Sequence, residues 1–332
     1  MRCRWHGWLS LSLAAGVSVD DADVQVGDLI DEHKSVFGVE PICRVLFEHG
    51  APIAPSTYYA ARVRPASARA VRDAQLSAEI TRVWKENREV YGADKVWLEL
   101  NRQGLTVARC TTERLMRQLG LQGVRRGRKV RTTVPGKDGQ RAPDLLKRDF
   151  TAPAPNRRWV ADFTYVATWS SIVYVAFVVD IYSRAIVGWA AAATKHAKLV
   201  LDALQMALWR RDRDGHPAGP GLIHHSDAGS QYTSFVFTAH LIETGLDASI
   251  GTVGDALDNA LMESTIGLYK TELIKKDGPW KNLAQVELAT AEYIDWFNSR
   301  RLHTAIGGVP PDEHEAAYYA ENQLHPEAGP NY

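Results

Sequence analysis

From residue 28 onward the apolar positions recur at helical spacing. Leu29, Ile30, Val36, Ile42, Val45 and Leu46 describe such a run, which Gly38 and Pro41 divide into two short helices. Ala51–Pro65 reads as a turn-rich connection. A longer helix is predicted from Ala68 to Asn87, because Leu76, Ile80, Val83 and Trp84 fall on one face and form a stripe for burial. Two shorter helices follow, Tyr91–Leu100 ending near Gly104, and Arg109–Leu119 closed by Gly120 as a C-cap. Past Arg158 the pattern changes to closely spaced β segments, Trp159–Val166, Ile172–Asp180 and Arg184–Ala191, which predict three antiparallel strands. A helix over His196–Arg211, a strand over Gly221–Ser226, a helix near Thr233–Thr244, a strand over Leu246–Ile250, and helices near Asp258–Lys275 and Asn282–Arg301 complete the series. Strands first and alternating βα units afterwards describe an α/β domain, a mixed sheet covered by helices.

Two short helices about a Gly-containing turn fit a helix-turn-helix. Its third helix would present Arg109, Thr112, Arg114 and Arg117 beside apolar Leu115, Met116 and Leu119, as a recognition helix does in a major groove. An ordinary three-helix bundle with a polar face fits the same local pattern. The run Arg125, Arg126, Arg128, Lys129 and Arg131, followed by Pro135, Gly136, Gly139 and Pro143, cannot build a core and reads as an extended basic arm for phosphates, a solvated linker being the plain alternative.

Charge sharpens this division. The 332 residues carry 39 basic and 39 acidic side chains, so the total is silent about a polyanion partner. The distribution is not silent: residues 109–148 carry +9, against −1 for 1–108, −4 for 159–303 and −5 for 304–332. With 45% hydrophobic and 23% charged residues the chain is a folded protein, neither disordered nor collagenous. Cys3, Cys43 and Cys110 form neither a disulfide framework nor a CxxC metal site, and a reducing compartment is the simpler reading. Arg2 and Arg4 before the apolar stretch Trp8–Val17 imitate a secretory leader, but no stretch approaches a membrane span, and residues 1–26 are read as a start-site or reading-frame extension. The expected organisation is that extension, a short helical segment 27–66, a helix-turn-helix domain 67–124, a basic linker 125–157, an α/β domain 158–304 and a tail 305–332.

Three carboxylates stand out. Asp162 interrupts Trp-Val-Ala-Asp-Phe-Thr-Tyr-Val on the strand face of Val160, Thr164 and Val166, where an unpaired buried charge is costly. Asp227 follows a short strand, at the strand terminus where α/β ligand sites gather. Glu263 belongs to the helix from Asp258. Singly, each reads as structural; together they describe an all-oxygen site for a hard cation, Mg²⁺ or Mn²⁺. A His-Asp hydrolase built on His224 and His225 is disfavoured, because successive strand side chains point to opposite faces.

Thirty-five residues separate Asp227 from Glu263, and the surrounding words are Trp159–Tyr165, His225–Ser234, Asp258–Glu263, Lys270–Ile274 and Trp296–His303, with Pro310-Pro311. In this order they resemble the DDE transposases of bacterial insertion sequence family three, in the OrfB subunit with the integrase catalytic core. The resemblance covers about residues 27–320, including the helix-turn-helix segment. It implies an RNase H-like five-stranded mixed sheet flanked by helices, preceded by an all-α helix-turn-helix region, with Asp162, Asp227 and Glu263 as catalytic triad and metal ligands. Two divalent ions would activate water and then a DNA 3′-OH for direct phosphoryl transfer. The implied partners are double-stranded DNA (terminal repeats and target), further copies of the chain on that DNA, and an OrfA-encoded N-terminal half, with no membrane and a cytoplasmic, nucleoid-associated setting. Asn259, Lys270, Gln231 and Tyr232 are expected near the DNA, as are Arg300, Arg301 and His303. Two other functions compete with strand transfer: a non-catalytic DNA-binding repressor or inactive remnant, and an RNase H-like nuclease without joining activity.

Overall fold

In a computed structural model of the chain, residues 19–125, 146, 149–226, 232, 234–250 and 260–324 are described. The chain divides into two compact units, 1–74 and 75–332.

In the first unit, helices α1 (Val19–Phe37), α2 (Val39–Glu48) and α3 (Pro55–Val63) close on a small core of Ile30, Ile42, Cys43, Leu46 and Tyr58. Gly38 makes the α1–α2 break at φ 77°, a conformation other residues adopt only with strain. Helix α3 replaces the expected turn-rich connection. Its proline is the first helical residue, where a missing N–H costs nothing and the fixed φ already suits a helix. Tyr58 is buried from α3, donating to Asp31 Oδ1 at 2.6 Å and accepting from Lys34 Nζ at 3.3 Å.

Helix α4 (Ala68–Glu86) leads into the second unit, which continues with α5 (Ala93–Arg102), α6 (Arg109–Gln118), β1 (Arg158–Ala167), β2 (Ile172–Asp180), β3 (Ile186–Ala192), α7 (Ala197–Arg213), β4 (Ile223–Ser226), α8 (Phe235–Glu243), β5 (Asp247–Ile250), α9 (Ala260–Tyr269), α10 (Leu283–Ser299) and α11 (Pro311–Leu324). The five strands form one sheet in the order β3-β2-β1-β4-β5. The β1–β2 and β2–β3 pairs are antiparallel, whereas β1–β4 and β4–β5 are parallel, so the expected mixed sheet is present.

Alternation divides the sheet into two faces. Trp159, Ala161, Ala176 and Val178 pack under α7 and α8 with Leu199, Leu204 and Phe237. Gly188 lets α7 approach β3 closely: a Cβ there would run into the Ala203 carbonyl and the Ala207 side chain. On the opposite face Val160, Val166, Val175, Phe177 and Val179 share a core with Met262 and Tyr269 of α9, Tyr293 and Phe297 of α10, and Leu76, Ile80, Val83, Val96, Leu100, Leu115 and Met116 of α4–α6. The helix-turn-helix segment therefore contributes to the same core as the sheet.

The segment read as a tail forms α11 on the described part of the chain. Glu315 is buried there and accepts two hydrogen bonds from Arg211, at 2.5 and 2.6 Å, and Asp180 lies 3.6 Å from the same guanidinium. Sequence patterning passed over this helix because its stabilising partner is 104 residues away.

Candidate active site

The parallel register of β1 and β4 sets out the site. Its last pair is Ala161 with Ser226, so Asp162 comes one residue after Ala161 and Asp227 one residue after Ser226. Asp227 itself lies outside the described residues, as do Gln231, Asn259, Arg126, Arg128, Lys129 and Arg131. Asp162 is half-buried and lies opposite Phe177 of β2; its Oδ1 accepts from the Phe163 N–H at 2.7 Å. Helix α9 packs against β1 and carries Glu263, half-buried, in its first turn, where the exposed N–H groups of a helix favour a carboxylate. The orientation of α9 follows from its buried side: Tyr269 packs edge-on against Phe177, centroids 5.0 Å apart, and donates or accepts a 2.7 Å bond with Thr290.

Lys270 is seven residues, two helical turns, after Glu263. Its ammonium lies over the Tyr165 ring at 4.8 Å. Burial draws its pKa below the ordinary lysine value, Asp162 opposes that shift, and Lys275 adds to it. A cation coupled to the Asp162 carboxylate thus shares a helix with Glu263. At Lys270 the helix widens into a π-helical turn through Ile274, a distortion that often accompanies functional sites.

Other expected site residues fall differently. Tyr232, expected near DNA, is a buried residue packed against Phe163, His224 and Phe237. His224 and His225 face opposite sides of β4, as alternation requires. His224 sits among Tyr232 and Phe237, its pKa drawn down to about 4 by burial and then by His225. His225 Nδ1 is 2.8 Å from Ser249 Oγ. On α6, Arg109 and Arg117 are exposed and Arg114 is partly so, with Arg109 paired to Asp94 and Arg117 to Glu113. Thr112 is fully buried, not on the outer face, and Leu119 is 41% exposed. Leu115 and Met116 fill the core, and Leu119 follows the helix as its C-cap. Arg125 is exposed.

Arg301 and His303, expected near DNA, are buried as well, while Arg300 is exposed. Arg301 instead makes a two-point pair with Glu272, Nη2 to Oε1 at 2.6 Å and Nε to Oε2 at 2.8 Å, and Tyr293 donates to the same carboxylate at 3.2 Å. Asn298, also buried on α10, accepts from the Ile186 N–H and donates to its carbonyl, both at 2.9 Å, in the manner of an extra strand residue. The sequence words Lys270–Ile274 and Trp296–His303 owe much of their polar content to this buried network.

A sheet ordered β3-β2-β1-β4-β5, with an aspartate on its central strand and a glutamate on the helix behind, defines an integrase-type catalytic core, the fold of polynucleotidyl transferases. Family models agree: an integrase core domain matches residues 152–256, a second integrase core domain 244–311, and an HTH-like domain 71–129. The chain is 54% identical over 278 residues to the product of insertion sequence element IS986/IS6110 from Mycobacterium tuberculosis strain H37Ra, covering 84% of this chain and all of that one. It is 49% identical over 297 residues to the transposase of IS629 from Shigella sonnei, covering 88% and 96%. The magnesium-bound catalytic core of HTLV-2 integrase aligns with 49% of this chain and 98% of its own, at 18% identity and a TM-score of 0.38. The chain belongs to the transposases of insertion sequence family three, enzymes with an HTH-like region and an integrase core. Among the described residues no helix is long and apolar enough to cross a membrane.

Proposed function

We propose that this transposase cleaves and joins the ends of its insertion sequence by direct phosphoryl transfer, with Asp162, Asp227 and Glu263 as its acidic residues. The observation that supports the reading is the register of β1 and β4, whose last pair, Ala161 with Ser226, directly precedes Asp162, together with α9 and its Glu263 packed against β1; in the sequence Asp227 directly follows Ser226. Such a donor set is all carboxylate, which suits Mg²⁺ or Mn²⁺ and not a softer ion. Asp162, Asp227 and Glu263 would hold the metal, as two ions in the family arrangement. Bound there, the metal would polarise the phosphate and activate a water or a 3′-OH.

The chain's own residues do the rest. Lys270, coupled to Asp162, offers a positive charge to the phosphate backbone on the same helix as Glu263. Arg109, Arg114 and Arg117 on α6, with Arg125 beyond it, give the terminal repeat a cationic surface, and the run Arg126, Arg128, Lys129 and Arg131 extends it as a phosphate-binding arm. The arm binds without reading sequence, so recognition falls to the helix. Assembly of further copies on DNA, and cooperation with an OrfA-encoded half, belong to the same reading.

The test is to incubate the protein with an element-end duplex and Mg²⁺ beside Glu263→Gln, which keeps the side chain's size and removes its charge. The expected result is cleaved and joined products from the wild type, and a loss of at least about a thousandfold in the variant with DNA binding unchanged. Products made by the variant at the wild-type rate would overturn the triad. Cleavage without joining would support the nuclease alternative, and binding without products the repressor.

A further inference from the structure

The helix-turn-helix segment is joined to the catalytic helices through polar contacts as well as the shared core. The Tyr91 hydroxyl, at the start of the α5 segment, accepts from the Leu302 N–H at 2.8 Å and donates to the Arg300 carbonyl at 3.4 Å. Its ring packs on Trp296 with centroids 6.3 Å apart, and Tyr91 is 1% exposed. Trp296 in turn donates its indole N–H to Asn87 Oδ1 at 3.3 Å. Behind Tyr91 stands the buried Glu272–Arg301 pair, and Glu272 belongs to the π-helical turn that continues α9 beyond Lys270. Two surface pairs brace the same junction, Arg88 with Asp277 at 2.6 Å and Lys276 with Glu89 at 3.3 Å. At the far end of α5, Arg102 makes a two-point pair with Glu313 of α11 at 2.6 and 3.2 Å.

A tethered recognition domain would look different. It would have its own core and a polar, poorly packed boundary with its neighbour. Here Val83, Val96, Leu115 and Met116 belong to the same hydrophobic cluster as Val160, Phe177 and Tyr269. Relative motion of α6 and α9 would require opening that core, exposing the Glu272–Arg301 charges and leaving the Leu302 N–H unsatisfied, each of which is strongly unfavourable.

We propose that Tyr91, backed by Asn87–Trp296 and Glu272–Arg301, is a positioning joint that holds α6 at a fixed offset from Glu263 and Lys270. The protein body then sets the distance between the DNA segment bound by α6 and the phosphate that is cut, as a rigid ruler. The proposal rests on the reading above, that α6 binds the element end and Glu263 serves its cleavage. Lys95, half-buried beside Tyr91 with its ammonium 5.1 Å from the ring centroid, belongs to the same packed joint, with Arg301 and Glu272 near its charge.

The experiment uses the full chain and a series of element-end duplexes with inserts of increasing length between the segment the protein protects from nuclease and the cleaved end. Each inserted base pair displaces the end by about 3.4 Å. Misplacing a reacting group by even about 1 Å costs on the order of a hundredfold, so an insert of about two base pairs should lower cleavage at the native end at least about a hundredfold. Binding, read by gel shift on the same duplexes, should stay within about twofold, because the protected segment is unchanged. Cutting that does occur should keep its distance from the protected segment and move inward from the end. Tyr91→Phe keeps the ring and removes both hydrogen bonds; it should broaden the dependence on insert length, while Arg88→Ala, which removes only a surface brace, should leave it narrow. Efficient cutting at the displaced end by the wild type would overturn the ruler, as would a Tyr91→Phe profile identical to the wild type's. Failure to bind or cut the native duplex would instead count against the underlying reading, a result separable from either of these.

Discussion

At the scale of single residues, burial decides protonation and placement more than local sequence does. His224 is surrounded by aromatic side chains, and its pKa falls to about 4 from an ordinary 6.5 because the charged ring loses its water. The unfolded chain therefore binds a proton that the folded chain refuses between those values. Stability from this residue is complete above pH 6.5 and is lost as pH falls toward 4, by about 2 kcal/mol at pH 5. Urea titrations at pH 7.5 and 5 should show that acid loss reduced by roughly this amount in His224→Phe; an equal loss in both proteins would refute the assignment. Lys270 makes a different prediction. If it meets a phosphate, Lys270→Ala should flatten the plot of log affinity against log salt by about one unit, and Lys270→Arg should restore it. A salt slope unchanged by Lys270→Ala would exclude the contact. Of the candidate site residues, Asp162 stood out locally because it interrupts an apolar strand, whereas Glu263 and Lys270 stood out only through the motif words around them. Sequence reading misplaced Thr112, Tyr232, Arg301 and His303 because polar residues are normally exposed, and only the fold shows the partners that make their burial tolerable.

At the scale of elements, the π-helical turn after α9 is the informative feature. A regular helix through Lys270–Ile274 would aim its side chains differently; the wider turn delivers Glu272 to Arg301 and Tyr293 while Lys270 remains near Asp162. Breaking that buried pair should be costly. Arg301→Met alone leaves the Glu272 charge buried and should destabilise by about 3–5 kcal/mol, whereas Arg301→Met combined with Glu272→Leu should recover most of the loss. Denaturant unfolding of the single and double variants measures this directly. A double variant no more stable than Arg301→Met would show that the pair is not what matters at this turn. The antiparallel and parallel strands were legible because their apolar residues alternate or run together between turn signals. Helix α3 was not, since prolines read as turns are also good first residues of helices.

At the scale of the whole molecule, the shared core has a consequence for truncation. A fragment beginning near residue 150 keeps the sheet but loses Leu76, Ile80, Val83, Val96, Leu100, Leu115 and Met116, which belong to the same hydrophobic cluster as Val160 and Phe177. It should express as aggregate or as an expanded species with exposed apolar surface, while a fragment from residue 75 should unfold in one cooperative transition. A monodisperse, cooperatively folded fragment from 150 would contradict the shared core. The sequence by itself determined the chemistry: which carboxylates stand in apolar strands and helices, where the basic charge is concentrated, and in what order helices and strands follow, all of them properties of local spacing. The tertiary structure decided what local spacing does not contain. It placed residues of the helix-turn-helix segment and of the sheet in one core, packed part of the segment read as a tail as α11 through the Arg211–Glu315 pair, and buried Arg301 and His303. Each of those outcomes depends on pairings between residues far apart in the chain, whose free energy appears only when folding removes both partners from water.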